Sequence, residues 1–199
     1  MISSLLFWYR LACFWWISSV TVYGMISPSI FGPALIKSWP FYFTDLSVAF
    51  TIIYFGTSSL SSLPLLSTIA YEIAFSCECI VIPVFWSQLY KTSDYYLHPT
   101  CGKILYNLTV HAIAGISLFI DFPFNNNDNN YIRFATNDVF YVLAFSIIYM
   151  CINRWYTLHY APVYPILTWN SLSSYITAFT FCILTMITFF IGHYLKMYL

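Results

Sequence analysis

The chain has 199 residues, 60% of them hydrophobic and 22% aromatic, and only 7% are charged, against the roughly 25% that keeps the surface of a soluble domain wet. Seven Lys and Arg balance seven Asp and Glu, so there is no basic field to draw a nucleic-acid backbone. A water-soluble domain and a nucleic-acid partner are thereby excluded, and the expected fold is an all-α, polytopic membrane helix bundle: about six transmembrane helices of roughly 20 residues fill residues 1–199 as a single helical domain.

Met1 to Arg10 has no cationic run and no Ala-x-Ala cleavage site after it, so the first apolar segment is expected to be retained. That segment runs from about Leu11 to Ile30, carries Pro28 near its end and is broken by Gly32-Pro33. Beyond Lys37, Trp39 and Pro40 a second segment covers about Phe41 to Leu60, and its polar Thr57-Ser58-Ser59 run precedes a tight turn at Pro64. The third, about Leu65 to Trp86, holds Glu72 and Glu78 in an apolar frame and ends on the interfacial aromatics of Val84-Phe85-Trp86. A polar connection from Gln88 to Lys103 leads to the fourth segment, about Ile104 to Phe122, with His111 inside it. The Asn-rich stretch Asn125 to Asn130 reads as a solvated loop.

The fifth segment covers about Val139 to Trp155 and is followed by a re-entrant-looking aromatic stretch, Tyr156 to Trp169, with Pro162 and Pro165. The sixth runs from about Tyr175 to Leu195. Apolar runs of this length without period-two alternation argue against strands, and helices satisfy their own backbone in lipid. With the N-terminal side as side A, Arg10, Arg133 and Lys196 fall there and Lys37, Lys91, Lys103 and Arg154 on side B. That balance sets no orientation by the positive-inside rule. The cysteines are scattered and imply no disulfide framework, and Cys77-Glu78-Cys79 points its thiols to different sides of a helix, which disfavours a metal site.

Alternating crossings gather Thr44, Trp86, His111 and His159 at side B. His111 stands about seven residues into its segment, roughly 10 Å below the boundary, and Thr44 lies in the first turn of its own. An imidazole at that depth is costly without a partner, so His111 is either functional or a packing residue bonded among Asn107 and Thr109. Thr44-Asp45 also reads as an ordinary helix start. Glu72 and Glu78, on different faces of their helix, must pair, protonate or line a wet cavity. Glycine-rich phosphate loops, His-Glu-x-x-His and Gly-x-Ser-x-Gly are all absent, and no metal or organic cofactor is called for.

Four stretches occur in a telling order: Trp39 with Phe43-Thr44-Asp45-Leu46; Val84-Phe85-Trp86 followed by Tyr90; Asn107-Leu108-Thr109-Val110-His111; and Trp155 with Val163-Tyr164-Pro165. Over about Lys37 to Leu195 the chain resembles the androgen-induced and androgen-dependent multi-pass proteins, threonine hydrolases of fatty-acid esters of hydroxy fatty acids. The resemblance implies a threonine nucleophile and a histidine, at Thr44 and His111 here, acting on a lipid ester in an endomembrane, the endoplasmic reticulum or plasma membrane. On this reading Trp86, Trp155 and Tyr164 line an acyl pocket near side B, and the ester enters sideways from the membrane lipids. The alternative expectation is a non-catalytic scaffold or a small transporter that uses intramembrane Glu78 and His111.

Overall fold

The computed structural model describes residues 2–27, 41–60, 63–92, 94–126 and 134–198, and every regular element among them is helical. Helix α1 spans Ile2–Ile26, starting well before the expected Leu11 because nothing between Ile2 and Arg10 breaks a helix. The expected link through Pro28, Gly32-Pro33, Lys37 and Trp39 lies outside the described residues. Helix α2 spans Phe43–Leu60 and α3 spans Pro64–Val84. Pro64 opens α3 where its missing N–H leaves no bond unmade.

Near the other end of α3, Pro83 lies inside the helix, and the rod continues as a π-helical segment, Phe85–Leu89. After the short helix α4, Asp94–Leu97, helix α5 spans Cys101–Leu108, its Thr100 side chain accepting the Lys103 N–H at 3.3 Å. A second π-helical segment, Thr109–Ile113, joins α5 to α6, Ala114–Asp121, so the three make one continuous rod. Helix α7 spans Val139–His159 and α8 spans Leu172–Tyr198.

Five stretches are long and apolar enough to cross a membrane: Ser4–Ile26, Pro64–Leu89, Cys101–Phe124, Thr136–His159 and Leu172–Tyr198. The chain is thus a multi-pass membrane protein, an all-α bundle of long helices. The remaining rod, α2, is different: it has 18 residues, and Asp45, Ser47, Thr51, Ser58 and Ser59 are among those it buries. It lies inside the bundle, packed against α1, α3 and α6, and so has little lipid to face.

Contacts at the two ends establish the alternating directions. At side A, Arg10 of α1 pairs with Asp121 of α6 at 3.1 Å, and the Tyr54 hydroxyl of α2 donates to the other carboxylate oxygen. Lys196 of α8 donates to the Phe122 carbonyl at 2.6 Å nearby. At side B, Tyr106 of α5 donates to Asp45 of α2 at 3.0 Å. Helix α3 is the central element: Tyr71 to Glu78 are all buried without interruption, against α2 and α6 on one side and α8 on the other. Lipid gives helices no hydrophobic reason to associate, so small and polar groups have to hold them. Thr188 of α8 donating to the Ser76 carbonyl of α3 at 2.9 Å is one such tie.

Candidate functional site

The first part of the site is a contact between two π-helical turns on antiparallel rods. A π turn opens the helix where a side chain intrudes or a function requires it. Phe85 begins one such turn and His111 sits in the middle of the other, and their rings stack face to face at 3.5 Å with 4° between planes. The indole N–H of Trp86 donates to the His111 carbonyl at 3.0 Å, a bond that ties the two bulges together. The imidazole Nδ1 of His111 is buried and, among the described residues, has no hydrogen-bond partner. Asn107 Oδ1 and Thr109 Oγ1, the polar neighbours expected to satisfy it, are themselves buried without partners among the described residues.

The second part is the start of α2. Phe43 and Asp45 are buried, while Thr44 between them is half-buried and, among the described residues, no hydrogen bond reaches its hydroxyl. At the start of the helix the Tyr164 hydroxyl accepts the Phe43 N–H at 3.1 Å. Tyr164 belongs to the irregular stretch between α7 and α8, outside the membrane-spanning helices, and burial keeps its hydroxyl protonated well above the usual tyrosine range. Next to it, Tyr149 of α7 donates to the Phe41 carbonyl at 3.0 Å and accepts from Asn153 Nδ2 at 3.3 Å. Asn153 in turn accepts the Trp169 indole N–H at 2.9 Å.

Seen along the bundle, the two parts are neighbours at side B. Ser47 of α2 donates to Glu78 of α3 at 2.8 Å, which fixes the register of those antiparallel rods. Thr44 precedes Ser47 by three residues and Phe85 follows Glu78 by seven, so Thr44 and the stacked Phe85 and His111 all lie toward side B from that bond. The π turn of His111 packs against α2 directly. No hydrogen bond joins Thr44 to His111. Trp86 is at the stack and Tyr164 at the α2 start, whereas the Trp155 ring is 51% exposed and packs on His159 and Tyr160.

The two intramembrane acids have separate surroundings. Glu78 Oε1 holds the Ser47 bond and Oε2 is buried without a partner, close to Gly115 of α6. Glu72 is fully buried beside Phe134 and Asp138 toward side A, and neither oxygen makes a hydrogen bond of ordinary geometry. Among the described residues no three His, Cys, Asp or Glu side chains converge as metal ligands would.

Sequence reasoning did not single out Tyr106, Tyr149, Asn153 or Trp169. Asn153 carried a signal, as an amide within an apolar segment four residues from Tyr149, the spacing that stacks side chains on one helix face. No protein-family model matches the chain, and neither the curated proteins nor the solved structures hold a significant match.

Proposed function

We propose that this membrane protein hydrolyses lipid esters, with Thr44 as nucleophile and His111 as general base, on fatty-acid esters of hydroxy fatty acids as the sequence resemblance implies. The observation that carries this reading is the His111 imidazole, held flat against Phe85 in a π turn with Nδ1 buried and unpartnered. An unpartnered ring nitrogen in a membrane bundle is unfavourable for a packing residue but suits a base that receives a proton during reaction.

In the proposed sequence the Thr44 oxygen attacks the ester carbonyl carbon as its proton passes to His111, since a threonine hydroxyl needs such help. The tetrahedral intermediate collapses, the ester C–O bond breaks, and the departing alkoxide takes the proton from His111. Water, deprotonated by the same imidazole, then attacks the acyl-threonine, releasing the fatty acid and restoring the Thr44 hydroxyl. The missing Thr44–His111 bond is compatible with this order, because catalytic hydrogen bonds often close only around substrate. Trp86 and Tyr164 flank the site and Trp155 faces outward, where an acyl chain arriving from the lipids of an endomembrane would first meet the protein. No cofactor enters any step.

A second reading, a small transporter, draws on Glu72, neither of whose oxygens has a hydrogen bond of ordinary geometry among the described residues, and on Glu78, whose Oε2 has none. Hydrolysis of a branched fatty-acid ester and fluorophosphonate labelling by detergent-purified protein separate the two. Thr44→Ala and His111→Ala should each abolish turnover to about the same extent as the double change, because residues acting as a unit are non-additive. Thr44→Ser should keep part of it. Full labelling of Thr44→Ala, or full turnover by His111→Ala at matched stability, would sink the mechanism.

A further inference from the structure

Three tyrosine hydroxyls from three different elements converge on five consecutive residues at the start of α2. Tyr149 of α7 donates to the Phe41 carbonyl at 3.0 Å, Tyr164 of the α7–α8 connection accepts the Phe43 N–H at 3.1 Å, and Tyr106 of α5 donates to Asp45 Oδ1 at 3.0 Å. Thr44 lies between the second and third anchors, and among the described residues no hydrogen bond reaches its hydroxyl.

Buried tyrosine hydroxyls always seek partners, and any nearby carbonyl would satisfy them. What distinguishes these is their targets. Two of the bonds end on backbone atoms at residues 41 and 43, and the third ends on the residue directly after Thr44. A helix start is where backbone groups lack intrahelical partners and fray most easily, and here the Tyr164 hydroxyl accepts one of them, the Phe43 N–H. Behind Tyr149 stands a further pair, Asn153 and Trp169, which fixes the orientation of its hydroxyl. Trp169 adopts φ of 61°, a left-handed backbone that a bulky residue holds only when its surroundings compel it.

We propose that Tyr106, Tyr149 and Tyr164 form a clamp of positioning residues that fixes the backbone of residues 41–45 and so aims the Thr44 hydroxyl toward the His111 rod. The inference rests on Thr44 being the nucleophile. Tyr106 has a second consequence, since it lies in the same rod as His111 and so sets the spacing between α2 and that rod at the reacting level. The clamp acts through the backbone around Thr44 and not on the reacting atoms, and the Tyr164 ring in addition flanks the site. Its effect is on how often the hydroxyl stands in line for attack, and a misplacement of about 1 Å is enough to slow such a step by up to about a hundredfold.

The test uses the full chain in lipid nanodiscs and the single variants Tyr106→Phe, Tyr149→Phe and Tyr164→Phe, which keep each ring and remove one oxygen. Two readouts are taken on the folded fraction: the single-turnover rate of fluorophosphonate labelling, and amide hydrogen exchange over residues 41–46. The expected result is labelling slowed about tenfold in each variant and faster exchange at Phe43 to Leu46, with KM for the ester unchanged in Tyr106→Phe and Tyr149→Phe. Trp169→Phe, which removes the N–H bonded to Asn153 behind Tyr149, should give a weaker effect of the same kind and serves if Tyr149→Phe fails to fold. Variants that fold, exchange and label like wild type overturn the clamp while leaving hydrolysis intact. A wild-type protein that does not label, or that labels equally well as Thr44→Ala, overturns the hydrolase reading and the positioning role with it.

Discussion

Ser47 and Glu78 meet across the seam between α2 and α3, the serine hydroxyl donating to Oε1 at 2.8 Å with both residues fully buried. Seven residues further along each rod Tyr54 meets Tyr71, ring centroids 4.6 Å apart. The seam therefore keeps one antiparallel register over about two turns, and polar groups hold it in register.

Glu78 should tolerate Glu78→Gln, because the amide oxygen still accepts from Ser47 and no cation is bonded to the carboxylate. A change within about 1 kcal/mol and unaltered ester turnover are expected. Glu78→Leu orphans the Ser47 hydroxyl and should lose roughly 1–3 kcal/mol, most of it regained with Ser47→Ala in the same chain. Thermal denaturation in detergent measures both. Loss of activity in a stable Gln variant would favour the transport reading instead.

At side A the Arg10–Asp121 pair is 7% and 0% exposed. Asp121→Asn leaves a buried guanidinium without its counter-charge and deprives Tyr54 of its anionic acceptor, and should destabilise by about 3–5 kcal/mol. Replacing both partners, Arg10→Met with Asp121→Leu, should recover much of the loss. A double variant as unstable as Asp121→Asn alone would show that Tyr54, and not the ion pair, dominates there.

Gly115 allows α6 to approach α3 closely. A Cβ there would lie 2.6 Å from Ile82 Cδ1 and 3.0 Å from Glu78 Cβ. The isoleucine tip can move, but the glutamate Cβ is fixed to the backbone, so Gly115→Ala should force the rods apart at a loss of about 1–3 kcal/mol. Adding Ile82→Val should relieve part of this, as read from the denaturation midpoint.

Tyr164 gives a pH dependence whose sign follows from burial. Its folded-state hydroxyl loses a proton less readily than in the unfolded chain. Stability owed to the neutral form is then fully present below about pH 10, the ordinary tyrosine value, and is lost as pH rises beyond it. Wild type should lose more stability than Tyr164→Phe between neutral and strongly alkaline pH. Parallel pH profiles of the two proteins would disprove it.

The helical rods were legible in the sequence because length and apolarity alone decide what can cross lipid, and α7 begins at the expected Val139. Ends were harder to place. Arg10 read as a flanking residue, yet it lies within α1, since a charge becomes acceptable there once Asp121, distant in sequence, supplies its partner. The gathering of Trp86 and His111 at side B followed from alternating directions, but the two π turns that join them did not. Their sequences contain no mark distinguishing them from α-helix, and the extra residue per turn arises from the contact itself. Tyr164 was read as lining an acyl pocket, and its bond to the Phe43 N–H depends on a chain separation of 121 residues that no local pattern encodes.

The enclosure of α2 by α1, α3 and α6 bears on how the chain enters the membrane during synthesis. When residue 60 emerges, α2 offers lipid a face with Asp45, Ser47, Thr51 and Ser58, and the residues that later cover it, among them Glu78, Tyr106 and Asp121, have not yet been made. Insertion of α2 and α3 as one hairpin would let the Ser47–Glu78 bond close before either rod is left alone in hydrocarbon, and a nascent chain stopped near residue 60 should leave the polar face of α2 unmatched in lipid.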